Sequence, residues 1–191
     1  MLSMAVTNFS TFLKEEVSKV KGIAYPIKAG FLRRVFIRKA LNIAFHMPLY
    51  PMLDDRDTPS SRDNHAKNWN TKKNHKAWKR YLRDAYGTDL VSRYAAPARC
   101  TDYSNLPPCY TFIGDIEPFY DETMTYVRNL QEAGIRAEVD VYHNWWHAYD
   151  VLVPMAEESR TAVARFEEKV AYAIAHDFAP QHSPSVSSRT K

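Results

Sequence analysis

The chain has 191 residues, enough for one ordinary domain or part of a larger one, and 45% are hydrophobic, which excludes a disordered polypeptide. Its net charge of +4 is only mildly basic. The excess gathers in residues 1–40 and in a second run from Lys67 to Arg83, where no nucleic-acid motif or aromatic interleaving accompanies it, so both runs read as solvated helix faces. No apolar run approaches the roughly 18–20 residues that span a bilayer. Thr7, Asn8, Ser10 and Thr11 interrupt the apolar start of the chain, unlike a signal peptide's compact core. A soluble, cytoplasmic protein is expected, with no membrane span and no nucleic-acid partner. Cys100 and Cys109 are too widely spaced for a CxxC redox or zinc pair, and Cys109 reads as a reduced core thiol. No cofactor or metal is expected.

In chain order, residues 1–40 form a basic segment with two helix candidates, Asn8 to Val20 and Phe31 to Ala40, separated by Pro26. Residues 41–178 form the main α/β domain. Leu41 to Tyr50 is a short apolar run suited to a buried strand that ends near Pro48, which cannot donate to a ladder. The polar stretch from Leu53 to Asn74 reads as loop with one short helix. The carboxylates Asp54, Asp55 and Asp57, with Arg56, suit a solvated loop or a structural salt-bridge cluster. Asn74 to Ala85 follows as a helix with Trp78, Tyr81 and Leu82 inward and Gly87 as its stop.

After a proline-rich loop, strand 109–114 is joined by a helix over about 121–133, stopped by Gly134, to a strand over about 136–142. A last helix spans about 155–177, with Ala162, Val163, Phe166, Val170 and Ile174 as its inward stripe. Residues 179–191, rich in Ser, Pro and charge, read as a disordered tail. Strands interleaved with helices predict an α/β fold with a parallel sheet.

Glu117 and His147 stand thirty positions apart, each just past the end of one of two successive strands. Parallel strands deliver both turns to the carboxyl edge of the sheet, where ligands and catalysis concentrate in open α/β folds. A carboxylate bonded to a histidine fixes its tautomer and stabilises the imidazolium formed when it takes a proton. Trp145 and Trp146, beside His147, are candidates to line an apolar substrate pocket or to cap the core. His143 and His147 have i, i+4 spacing, but Asn144 stands where the metalloprotease motif requires glutamate, and the stretch reads as loop.

Several segments, in order, resemble the hormone-sensitive-lipase-like acetyl esterases and lipases of the α/β-hydrolase superfamily. They are Leu49-Tyr50-Pro51-Met52-Leu53-Asp54-Asp55-Arg56 with Thr58-Pro59-Ser60-Ser61, Tyr94-Ala95-Ala96-Pro97-Ala98-Arg99, Gly114-Asp115-Ile116-Glu117-Pro118-Phe119 with Asp121-Glu122, and Trp146-His147-Ala148-Tyr149-Asp150. The resemblance covers about residues 41–177. It implies that Glu117 and His147 are the acid and histidine of a Ser-His-Glu triad acting on a small acyl ester. Ala148 and Tyr149 stand where the family has Gly and Phe.

The nucleophile of such enzymes sits in a Gly-x-Ser-x-Gly elbow. The five glycines here are Gly22, Gly30, Gly87, Gly114 and Gly134; no two are four apart and none are adjacent, so these 191 residues contain neither the elbow nor a His-Gly-Gly oxyanion motif. Ser60 and Ser61, in a loop after the first strand, have no elbow context. Removing the nucleophile of a serine triad costs on the order of 10⁶ in rate. The expectation is therefore a partial α/β-hydrolase fold, with C-terminal parallel strands, flanking helices and the N-terminal half of the sheet missing. Its chain would be an ester-hydrolase family member inactive alone. The alternatives are a non-catalytic remnant or binding pseudoenzyme, or a fragment complemented by another chain. Half a sheet leaves a strand edge unpaired, through which self-association or a complementing chain is expected.

Overall fold

The computed structural model describes residues 43–177. The helix candidates in residues 1–40 and the tail from Ala179 lie outside the described residues. Strand β1, Cys109–Gly114, and strand β2, Ala137–Tyr142, pair in parallel, in register from Cys109 with Ala137 to Gly114 with Tyr142. Every residue of β1 is buried, whereas β2 is buried at Ala137 and partly or fully exposed beyond it. Of the pair, β1 is the covered strand and β2 the more open one.

Helix α3, Tyr120–Glu132, makes the crossover between the strands. Thr123, Tyr126, Val127 and Leu130 recur at helical spacing and are buried. The helix stops because Gly134 takes φ +76°, letting its N–H reach the Gln131 carbonyl at 2.9 Å and the Ile135 N–H reach Leu130 at 2.9 Å. Alternation along the strands then sorts the core into two faces. Cys109, Ala137 and Val139 join Tyr126, Val127, Leu130, Leu53 and Leu106, while Tyr110, Phe112 and Tyr142 join Tyr149, Ala162 and Phe166 on the other side.

The expected strand over residues 41–50 is a correction. Among its described residues only His46 bridges, in parallel, to Cys109: its N–H donates to Pro108 at 2.9 Å and its carbonyl accepts from Tyr110 at 3.2 Å. Pro48 supplies no donor and Tyr50 turns at φ +32°, so the ladder cannot continue. The Thr111 hydroxyl, instead of a backbone N–H, meets the Pro48 carbonyl.

Helix α1, Pro59–Arg62, is one turn held by a capping box between Thr58 and Ser61. Helix α2, Thr71–Leu82, starts three residues earlier than expected because the Asn70 side chain caps it, accepting from Lys73 at 3.1 Å. Trp78 is buried, but Tyr81 is half exposed; Asn74 takes the inward position instead. The predicted end of this helix is a separate 3₁₀ turn, Arg83–Ala85. After the single turn α4, Tyr149–Leu152, helix α5 runs Glu157–His176. Its inward stripe is narrower than expected: Val163 is exposed, and Ala173 is buried beside Ala162 and Val170.

The carboxylates after Leu53 divide sharply. Asp55 is buried and receives a two-pronged bond from Arg99, at 2.6 and 2.9 Å, across the loop. Asp54 pairs with the exposed Arg56, and Asp57 with His75. Of the two readings left open by the sequence, solvated loop and structural salt-bridge cluster, the buried Asp55–Arg99 bond favours the second.

Candidate active site

The sheet ends at Gly114 and Tyr142 together, so the turns after β1 and β2 leave the same edge side by side. Gly114 is required by proximity: a Cβ there would lie 2.1 Å from the Trp145 carbonyl oxygen. Two backbone bonds sew the turns together, from Asp115 N–H to Tyr142 at 3.1 Å and from Ile116 N–H to Trp145 at 3.3 Å. Asn144 and Ala148, at φ +63° and +57°, bracket the segment that carries His147.

Within this frame the two side chains singled out in the sequence meet. Glu117 is fully buried; one carboxylate oxygen accepts from the Gly114 N–H at 3.2 Å and the other lies 2.7 Å from His147 Nδ1. Burial pushes the Glu117 carboxyl above the usual range, and the bond from His147 opposes that push. With Nδ1–H donating to Glu117, Nε2 is the ring nitrogen left to take a proton. The His147 side chain retains 21% exposure, so the imidazole is held without being sealed off.

Three rings surround the imidazole edge-on or tilted: Tyr50 at 4.7 Å, Phe119 at 5.1 Å and Trp69 at 5.7 Å between centroids. The Tyr50 hydroxyl bonds to Asp150, and burial raises both groups above their ordinary ranges. Trp145 and Trp146 stack obliquely on each other at 5.3 Å and pack against the cluster of Tyr110, Phe112 and Tyr149. They are thus anchored on the core beside the histidine turn.

The loop between α1 and α2 grips both turns. Asn64 Nδ2 donates to the Ile116 carbonyl at 3.0 Å, and Asn68 Nδ2 donates to the His147 carbonyl. Sequence reading gave no role to Asn64, Asn68 and Trp69, which lie in a stretch notable for lysine, nor to Tyr50 and Asp150, which stood within the segments that carry the family resemblance. Ser60 is fully occupied elsewhere: its N–H and hydroxyl bond to Asp121 and its hydroxyl also to the Pro118 carbonyl, while Ser61 closes the Thr58 cap. His143 turns to Asp115, at 2.9 Å, and away from a shared centre with His147. Among the described residues, no group of three His, Cys, Asp or Glu side chains could hold a metal ion.

A family model described as alpha/beta hydrolase fold matches residues 27–151, most of the chain. The chain belongs to that family. Among solved structures, a bacterial heroin esterase superposes with a TM-score of 0.66 and 30% identity, over 77% of this chain and 45% of its own. The esterase LipW from Mycobacterium marinum superposes with a TM-score of 0.70 and 25% identity, over 76% of this chain and 45% of its own. An esterase from Pyrobaculum calidifontis, at 24% identity and a TM-score of 0.62, shares the fold. The chain thus spans about half the length of the structures it matches. No curated protein matches the sequence. No described helix is long and apolar enough to cross a membrane.

Proposed function

We propose that Glu117 and His147 are the acid and the base of a serine-type carboxylic-ester hydrolase, and that these 191 residues hold that half of the machinery without its nucleophile. The observation that carries the reading is the 2.7 Å bond between a fully buried carboxylate and a partly open imidazole at the carboxyl edge of a parallel sheet. That the similar solved structures are esterases supports the same class of substrate.

In the complete reaction His147 Nε2 takes the proton of a serine hydroxyl as it attacks the ester carbonyl, then returns it to the departing alkoxide. Water repeats the cycle on the acyl intermediate. Glu117 keeps Nδ1 protonated and offsets the positive charge that appears on the ring. Tyr50, Phe119 and Trp69 offer an apolar wall beside the imidazole, suited to a small acyl ester. Trp145 and Trp146, packed on each other beside His147, are the further candidates to line the substrate pocket. These 191 residues hold no Gly-x-Ser-x-Gly elbow, so ester hydrolysis needs an elbow supplied from outside them.

Hydrolysis of p-nitrophenyl acetate and butyrate by the purified chain tests this directly. The expected rate is that of buffer, unchanged in His147→Ala. Adding the separately produced first half of a related esterase is expected to raise the rate, and His147→Ala to remove the gain. A rate from the chain alone that disappears in His147→Ala overturns the idle reading; a complemented rate indifferent to His147 overturns the assignment of the base.

A further inference from the structure

His143 and Asp115 form a second histidine–carboxylate pair alongside the first, and the proposed reaction leaves both unused. Their surroundings differ from those of Glu117 and His147. The His143 ring is 81% exposed, so its bond to Asp115 Oδ2 at 2.9 Å competes with water. The other oxygen, Oδ1, accepts the Asn144 backbone N–H at 2.6 Å, and Asp115 is itself only 25% exposed in its side chain. Asn144 is the left-handed residue that opens the histidine turn. Outside glycine that conformation is disfavoured, and an asparagine adopts it when local bonds hold it there.

The turn from Asn144 to Ala148 is therefore tied at three places along its backbone. Asp115 holds Asn144, the Ile116 N–H holds the Trp145 carbonyl, and Asn68 holds the His147 carbonyl. Of these, the first is the charge-assisted bond, and it sits where the chain reverses. If it opens, the turn can swing about the Trp145 carbonyl, and His147 Nδ1 leaves the 2.7 Å reach of a carboxylate that is fixed in the core.

We propose that Asp115 is a positioning residue: through the Asn144 N–H its carboxylate holds the histidine turn against the acid turn and fixes the imidazole for Glu117. The assignment rests on the reading of Glu117 and His147 as acid and base. It distinguishes the two functions of Asp115, since the backbone acceptor matters and the partnership with His143 does not.

The test uses proton NMR on the full chain, following the low-field Nδ1–H resonance of His147 and the exchange of the Asn144 amide. In Asp115→Ala the His147 resonance is expected to be lost to exchange with water, and the Asn144 amide to exchange about tenfold faster or more, as befits one lost charge-assisted bond. Asp115→Asn, which keeps an oxygen acceptor, restores both, and His143→Ala leaves both unchanged. Unaltered signals in Asp115→Ala, or Asp115→Asn behaving like Asp115→Ala, overturn the proposal. Should Asp115→Ala not fold, the Asn144 amide of the unaltered chain decides: protection supports the clamp, and exchange at the rate of an open turn overturns it. Glu117→Leu, which removes the acceptor, separates the two readings, because a His147 resonance that survives there defeats the acid–base pair while the Asn144 exchange still reports on Asp115.

Discussion

Replacing Gly114 by alanine probes the close approach on which the site is built. The added Cβ would sit 2.1 Å from the Trp145 carbonyl oxygen and 2.5 Å from its carbon, where ordinary contact begins at 3.4 Å. Both obstacles are backbone, so no side-chain rotation relieves them, and the two turns must part by over an ångström. Overpacking of this kind costs about 1–3 kcal/mol, and rigid obstacles put it at the upper end. Breaking the bond from the Ile116 N–H to the Trp145 carbonyl adds about 1 kcal/mol. A total of about 3–4 kcal/mol is a large share of a net stability of about 5–15 kcal/mol. In equilibrium urea unfolding, with a slope of about 1–3 kcal/mol per molar, the midpoint should fall by about 1–4 M. Gly134→Ala is the control. Its Cβ would meet nothing within 4 Å, so only the left-handed backbone at φ +76° resists it, at about 1–2 kcal/mol. Equal losses in the two variants would refute the argument from proximity.

Ala148 stands at φ +57° with a side chain that makes no capping bond, and Ala148→Gly is expected to stabilise the chain by about 0.5–1 kcal/mol, the relief of left-handed strain less the extra chain entropy of glycine; a lowered melting temperature would contradict this. Arg99→Ala leaves the buried Asp55 carboxylate without its partner and should cost about 3–5 kcal/mol in urea unfolding, whereas Arg56→Ala, on an exposed pair, should cost under about 1 kcal/mol. Burial holds the His46 imidazole down to about 4, so the folded chain binds fewer protons than the unfolded one between there and the ordinary value of 6.5. Its contribution is complete above 6.5 and drains away as the pH falls towards 4, about 3 kcal/mol in all. Glu117 and Glu122, raised by burial, act with the opposite sign, favouring the folded chain at low pH and losing that contribution as pH rises through their folded values. The measurement is thus the difference in urea midpoint between pH 7 and pH 4.5, which should become less acid-sensitive in His46→Gln; an unchanged difference would count against the buried imidazole as its source.

The β1–α3–β2 unit was legible because its punctuation is local. Gly114 and Gly134 close their elements, and the apolar residues between them repeat at strand or helix spacing. Glu117 and His147 were legible for the same reason, each lying a few residues past a strand end. Tyr81 and Val163 misled because a hydrophobic residue at helical spacing faces inward only if something covers it. Asn74 and Ala173 took the inward places, a polar and a small residue that a hydrophobicity pattern discounts. The strand expected before Pro48 shrank to the His46 bridge because continuity depends on donors and turns as well as apolar character. Asn68 and Trp69 were out of reach, since their meaning lies in His147, which is 79 positions from Asn68 in the chain.

The common end of the two strands also acts as a ruler. Because β1 and β2 finish in register, the reach from Glu117 to His147 is measured from Gly114 and Tyr142, not along the thirty-residue separation in the chain. Lengthening α3 by a turn, or enlarging the bend at Gly134, would leave the two side chains where they are. Adding or deleting one residue between Asp115 and Glu117, or between His143 and His147, would part them. Drift in chain length can accumulate freely in the crossover, while the two short turns tolerate none.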